Sequence, residues 1–126
     1  MRVLIVDDHP IFVQGLTAIL GQDERFDVVG TATSGRDAVR LARETETDVV
    51  LMDMSMPVLD GVAATRRLLE AQPRLRIIAL SAHTDQLSRK AALEAGAAGF
   101  VSKSDELDVL LTTMLTVCER DESAAG

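Results

Sequence analysis

The sequence predicts an α/β fold, a parallel sheet with helices on both faces, and three observations carry that prediction. Five short apolar runs alternate with five stretches of helical spacing, the pattern of strand-crossover-strand units. Most of the runs are near-continuously apolar, as strands buried on both faces are. With 126 residues the chain has the size of one domain, enough to bury a core without disulfide or metal staples.

Taken in order, residues 3–6 form the first apolar run, and Ile11, Phe12, Leu16, Ile19 and Leu20 then make a helical stripe. Residues 26–30 read as the second strand, followed by a helix carrying Ala38, Leu41 and Ala42. The third strand spans residues 49–52, and its helix presents Val62, Thr65, Leu68 and Leu69. Residues 77–80 are the fourth strand. The weaker stripe Leu87, Ala91 and Ala95 comes next, with Gly96 placed to stop the helix. After a short fifth strand at residues 99–101, Leu107, Leu110, Leu111, Met114 and Cys118 give the clearest helical spacing. Ser104 stands where a helix cap is expected, with Asp105 and Glu106 in the first turn, where the helix dipole favours negative charge. Right-handed crossovers leave few topologies, and the flavodoxin-like order 2-1-3-4-5 suits this length. Residues 1–120 are expected to form the domain, and residues 121–126, small and polar, to be a frayed tail or the start of a linker.

Composition narrows the function. Apolar residues make up 47% and charged residues 26%, which excludes disordered and low-complexity classes. No apolar run is long enough to span a bilayer or to serve as a signal-peptide core. A single cysteine, Cys118, points to core packing and a cytoplasmic setting. A net charge of −7 argues against direct nucleic-acid binding, and three phenylalanines with no tyrosine or tryptophan leave no stacking platform.

Ligands of open α/β sheets bind at the carboxyl ends of the strands. Asp7 and Asp8 follow the first strand, Asp53 the third, Ser81 the fourth, and Ser102 with Lys103 the fifth. In the predicted order the first and third strands are neighbours, so the three carboxylates converge. Any one of them alone is more often a turn former than a catalyst. Together they repel one another unless a cation joins them, and Mg²⁺ is the cation that takes oxygen ligands and pairs with phosphate. Lys103 adds a fixed positive charge and Ser81 a hydroxyl, a setting for phosphoryl transfer to an aspartate. His9 and His83 lack partners at metal-ligand spacing, so no transition-metal site is expected. No phosphate-binding glycine loop and no nucleophile elbow is present.

Four segments go further: Leu4-Ile5-Val6-Asp7-Asp8-His9-Pro10, Leu51-Met52-Asp53-Met54-Ser55-Met56-Pro57-Val58-Leu59-Asp60-Gly61, Ala79-Leu80-Ser81-Ala82-His83 and Gly96-Ala97-Ala98-Gly99-Phe100-Val101-Ser102-Lys103. They closely resemble the receiver domain of bacterial two-component response regulators, over residues 2–120. The first and last of them look most like the subfamily with a LuxR-type helix-turn-helix output domain. The resemblance implies that Asp53 accepts a phosphoryl group from a sensor histidine kinase. It also implies an Mg²⁺ (or Mn²⁺) site made by Asp8, Asp53, Asp7 through water, and the backbone carbonyl of Ser55. Ser81 would be the switch hydroxyl, Lys103 the phosphoryl partner and Phe100 the aromatic that repacks. Ala82 and His83 would modulate access and phosphoryl lifetime.

The sequence departs from the family pattern in having Phe100 for a common tyrosine, and Ser104 in place of a proline after Lys103. An output domain would need roughly sixty more residues, so a receiver cut from a longer transcription regulator is expected over a stand-alone one. Homodimerisation on phosphorylation is a further expectation, with no direct nucleic-acid or membrane contact. The rival readings are a small Mg²⁺-dependent phosphohydrolase and a phosphate-independent dimerisation module.

Overall fold

The computed structural model describes residues 1–54, 61–82, 86–105 and 107–125, with residue 88 and residues 119–125 described as backbone alone. Its elements alternate strictly: β1 (Arg2–Val6), α1 (Pro10–Gly21), β2 (Asp27–Ala32), α2 (Gly35–Glu44), β3 (Val49–Asp53), α3 (Gly61–Ala71), β4 (Arg76–Ser81), α4 (Gln86–Ala95), β5 (Gly99–Ser102) and α5 (Leu107–Ala125). The strands are parallel and lie in the order β2-β1-β3-β4-β5, as expected.

The period of two along each strand sorts the apolar side chains into two layers. Val3, Ile5, Val49, Leu51, Ile78, Leu80 and Val101 face α1 and α5, where Leu16, Leu20, Leu110 and Met114 meet them. Leu4, Val6, Val50, Met52 and Ile77 face α2 and α3, against Ala38, Ala42, Ala64 and Leu68. A smaller patch of Ala79, Ala92 and Ala97 lies beneath α4, with Phe100 half-buried against it. The three central strands are buried almost throughout, which explains their unbroken apolar runs.

Four local expectations change. The strand β2 begins and ends later than the apolar run, because Thr31 and Ala32 still pair with Ile5 and Val6 after a register shift beside Leu4. In α1, Leu16 and Leu20 are buried, but Ile11 is 86% exposed and Ile19 41%, so the packed stripe is narrower than the apolar one. Leu87 is 80% exposed: the residues of α4 that pack are alanines in its C-terminal half, and the first turn lies beyond them. Ser104 does not cap α5. Its hydroxyl pairs with that of Ser102 at 2.8 Å, while Asp105 precedes the helix and accepts the Ser102 N–H at 3.0 Å. Glu106 lies outside the described residues. The helix α5 buries Val117 beside the half-buried Cys118 and continues to Ala125.

Gly96 does stop α4. It adopts φ +111°, its N–H donates to the Leu93 carbonyl, and the Ala97 N–H reaches back to the Ala92 carbonyl. These are the two bonds of a Schellman motif, and the left-handed conformation is one that glycine adopts without a side-chain clash.

Candidate functional site

The register of the sheet brings the strand ends level. Val6 pairs with Met52, so Asp7 and Asp53 each stand one residue beyond a paired position on adjacent strands. Asp53 pairs in turn with Leu80, and Ser81 with Ser102. Asp7, Asp53 and Ser81 are each about 1% exposed, so the acidic cluster is sunk into the end of the sheet.

The turn from β1 into α1 is built on Asp7. Its N–H donates to the Ala32 carbonyl at 2.9 Å, and its Oδ1 accepts the His9 backbone N–H at 2.8 Å. Pro10 then opens α1, where its missing N–H costs nothing. This turn sends the His9 ring back over the carboxylates: Nδ1 is 2.8 Å from Asp7 Oδ1, 3.3 Å from Asp8 Oδ1 and 3.6 Å from Asp53 Oδ2.

Lys103 closes the cluster from β5. Its backbone N–H donates to the Ser81 carbonyl at 2.8 Å, which ties the loop after β5 to the end of β4. The side chain is only 13% exposed, and Nζ lies 2.6 Å from Asp7 Oδ2 and 3.4 Å from Asp53 Oδ2. The same ammonium sits 4.8 Å from the centroid of the Phe12 ring, within cation–π range.

Among the described residues, three carboxylates face one ammonium, which leaves the cluster short of positive charge. Asp7 Oδ2 has its lysine, but Asp8 Oδ1 is buried and accepts no hydrogen bond, the His9 ring nitrogen standing 3.3 Å away. One oxygen from each aspartate and a ring nitrogen of His9 lie within 4.8 Å of one another. An orphaned carboxylate oxygen in an oxygen-rich pocket fits a hard divalent cation, and Asp8 with Asp53 and Asp7 are the side chains present to hold one.

The structure thus brings together Asp7, Asp8, Asp53 and Lys103. Ser81 is buried on the adjoining strand. Phe100 points to the other face of the sheet, into the alanine patch under α4. Ala82 is exposed beside Ser81. Ser55 and His83 lie outside the described residues. Two residues joined to the site had no role at sequence level. Spacing offers His9 no partners, yet its Nδ1 lies within 3.6 Å of an oxygen of each of three aspartates. Phe12 was read only as part of a packing stripe. The signal available for both was their place one turn apart at the start of the helix that follows Asp7-Asp8.

Comparison with known proteins places this geometry. Residues 3–115 match the family model described as response regulator receiver domain. The response regulator GacA of Pseudomonas aeruginosa is 38% identical over 93% of this chain and 55% of its own length. The chain therefore spans about half the length of this curated relative. A LuxR-family two-component response regulator from Aurantimonas superposes with a TM-score of 0.88 at 34% identity, covering 92% of this chain and 83% of that one. The CheX-CheY-BeF₃-Mg²⁺ complex from Borrelia burgdorferi superposes with a TM-score of 0.86 at 30% identity, over 93% and 88%.

Proposed function

Because the chain belongs to the response regulator receiver-domain family, we propose that Asp53 is its phosphoacceptor and that acyl-phosphate formation there switches an output or dimerisation surface. The observation that carries this is the buried Asp53 carboxylate, with the Lys103 ammonium at 3.4 Å and two further aspartates beside it. The donor is the phosphohistidine of a sensor histidine kinase: an Asp53 oxygen attacks phosphorus, the new O–P bond forms, and the P–N bond to the kinase imidazole breaks. Mg²⁺ (or Mn²⁺) would be held by Asp8, Asp53, Asp7 through water and the Ser55 carbonyl, and would neutralise charge on the transferred oxygens.

The chain's own residues do the rest. Lys103, held by Asp7 in the resting site, has its ammonium within reach of oxygens added at Asp53. Ser81 offers a hydroxyl to those oxygens from the next strand. Its movement loosens the packing around Phe100, which repacks through shape alone because it has no hydroxyl. Small Ala82 leaves the phosphoryl group accessible, and His83 with Ser55 tunes its lifetime. The switch is no enzyme acting on other molecules; it catalyses at most the formation and hydrolysis of its own acyl phosphate.

The resemblance to GacA and to the LuxR-family structure supports a setting in a longer, cytoplasmic transcription regulator. Among the described residues no helix is long and apolar enough to cross a membrane. Intact-mass spectrometry after incubation with Mg²⁺ and acetyl phosphate tests the site. The expected result is one added phosphoryl group on the wild type and none on Asp53→Asn; stoichiometric labelling of that variant would refute the assignment.

A further inference from the structure

We propose that His9 is a metal ligand in the acidic cluster, so that the site takes nitrogen-preferring divalent cations such as Ni²⁺ or Co²⁺ more tightly than its carboxylates alone would. The inference rests on the reading of that cluster as a cation site and concerns what the imidazole adds to it.

The geometry converges on one point. Nδ1 faces one oxygen of each of three aspartates, at 2.8, 3.3 and 3.6 Å. Ligands about 2.1 Å from a shared ion lie about 3.0 Å apart when adjacent and about 4.2 Å apart when opposed. The four donor atoms already lie within 4.8 Å of one another, so binding requires them to close by less than an ångström or so. The backbone that carries the ring is fixed on both sides, by the N–H bond to Asp7 Oδ1 and by the Pro10 ring that opens α1. The ring itself is 60% exposed, which leaves a side open for an arriving ion and its waters.

A plain hydrogen bond from Nδ1–H to Asp7 accounts for the shortest contact and leaves the other two unexplained. The Lys103 ammonium also lies 3.0 Å from Nδ1. One nitrogen cannot donate to Asp7 and accept from Lys103 at once, so two groups compete for the same pocket of negative potential. A divalent cation would relieve the competition, taking the imidazole lone pair and offsetting the charge on Asp7 Oδ1, while Lys103 keeps Asp7 Oδ2. Imidazole discriminates strongly among cations: it adds little for Mg²⁺ and much along the series from Mn²⁺ to Ni²⁺.

Calorimetric titration with MgCl₂ and with NiCl₂ tests this on the wild type, His9→Ala and Asp8→Asn, with thermal unfolding of each metal-free variant as the check on folding. His9→Gln, which keeps a polar side chain, stands in should His9→Ala unfold. The expected result is a loss of about tenfold or more in Ni²⁺ affinity on removing His9, with Mg²⁺ affinity changed less than about threefold. Asp8→Asn should weaken both ions. Equal losses for the two ions on removing His9, or no loss for either, would overturn the proposal and assign His9 to positioning Asp7. Nickel binding that survives Asp8→Asn would overturn it by placing the nickel elsewhere. Failure of Mg²⁺ to bind the wild type would instead count against the cation site itself.

Discussion

The Lys103 ammonium has three kinds of neighbour: the Asp7 and Asp53 carboxylates, the His9 ring nitrogen and the Phe12 ring. The ring face stabilises a partly desolvated ammonium by about 1 kcal/mol and limits where its long stem can swing. Phe12→Leu keeps the apolar volume and removes the π face. The expected outcome is about fivefold slower phosphorylation by acetyl phosphate, with Phe12→Tyr restoring the rate; an unchanged rate in Phe12→Leu would reduce the ring to packing. A second residue-scale prediction concerns Asp23, far from the site. The Arg25 side chain, at 2.6 and 2.9 Å, and then the Arg25 backbone N–H hold its carboxyl down to about 2 from an ordinary value of 3.8. A depressed folded-state value means that the pair's contribution is present above pH 4 or so and is lost as pH falls through about 2. In Arg25→Ala the Asp23 titration midpoint, followed by NMR, should rise toward 3.8; a midpoint that stays near 2 would assign the shift to another cause.

At the scale of elements, the start of α3 is where packing and chemistry share atoms. A Cβ on Gly61 would overlap the Asp53 carbonyl oxygen and come within 2.7 Å of the Met54 Cα. Both obstacles are backbone, so the helix must back away. Gly61→Ala should cost about 1–3 kcal/mol and slow phosphorylation as well, read from urea unfolding and from the mass-labelling time course; full stability with normal labelling would show that α3 yields freely. The same scale separates what could be read in the sequence from what could not. The strand order, the glycine stop at Gly96 and the convergence of Asp7, Asp8, Asp53 and Lys103 were legible, because alternation and strand ends are properties of the chain's own pattern. Leu87 and Ile11 are exposed for a common reason. Periodicity says which residues share a face, and only the neighbouring elements decide whether that face meets anything. Ser104 differs because α5 starts at Leu107, later than the cap position implies. His9 escaped notice because its partners depend on how one turn aims a ring, which spacing does not encode.

At the scale of the whole molecule, the fold stores electrostatic work. A chain of net charge −7 gathers three aspartates at one end of its sheet and, among the described residues, meets them with a single lysine. In the unfolded chain those carboxylates are dispersed and hydrated, so a cation that bridges them binds the folded form almost alone. Mass action then stabilises the fold by about 2.7 kcal/mol at a hundredfold excess over the dissociation constant. For a domain of this size, at roughly 3–5 °C per kcal/mol, that corresponds to a rise of about ten degrees in the unfolding midpoint. The test is a thermal melt with MgCl₂ against NaCl at matched ionic strength, wild type beside Asp8→Asn. Screening alone would raise the midpoint equally in both salts and in both proteins, because it acts on every exposed charge. A bridging ion raises it for Mg²⁺ only, and only while Asp8 keeps its charge. Equal curves in the two salts would mean that the acidic cluster is tolerated by Lys103 alone, and that its charge is not held in reserve for a metal.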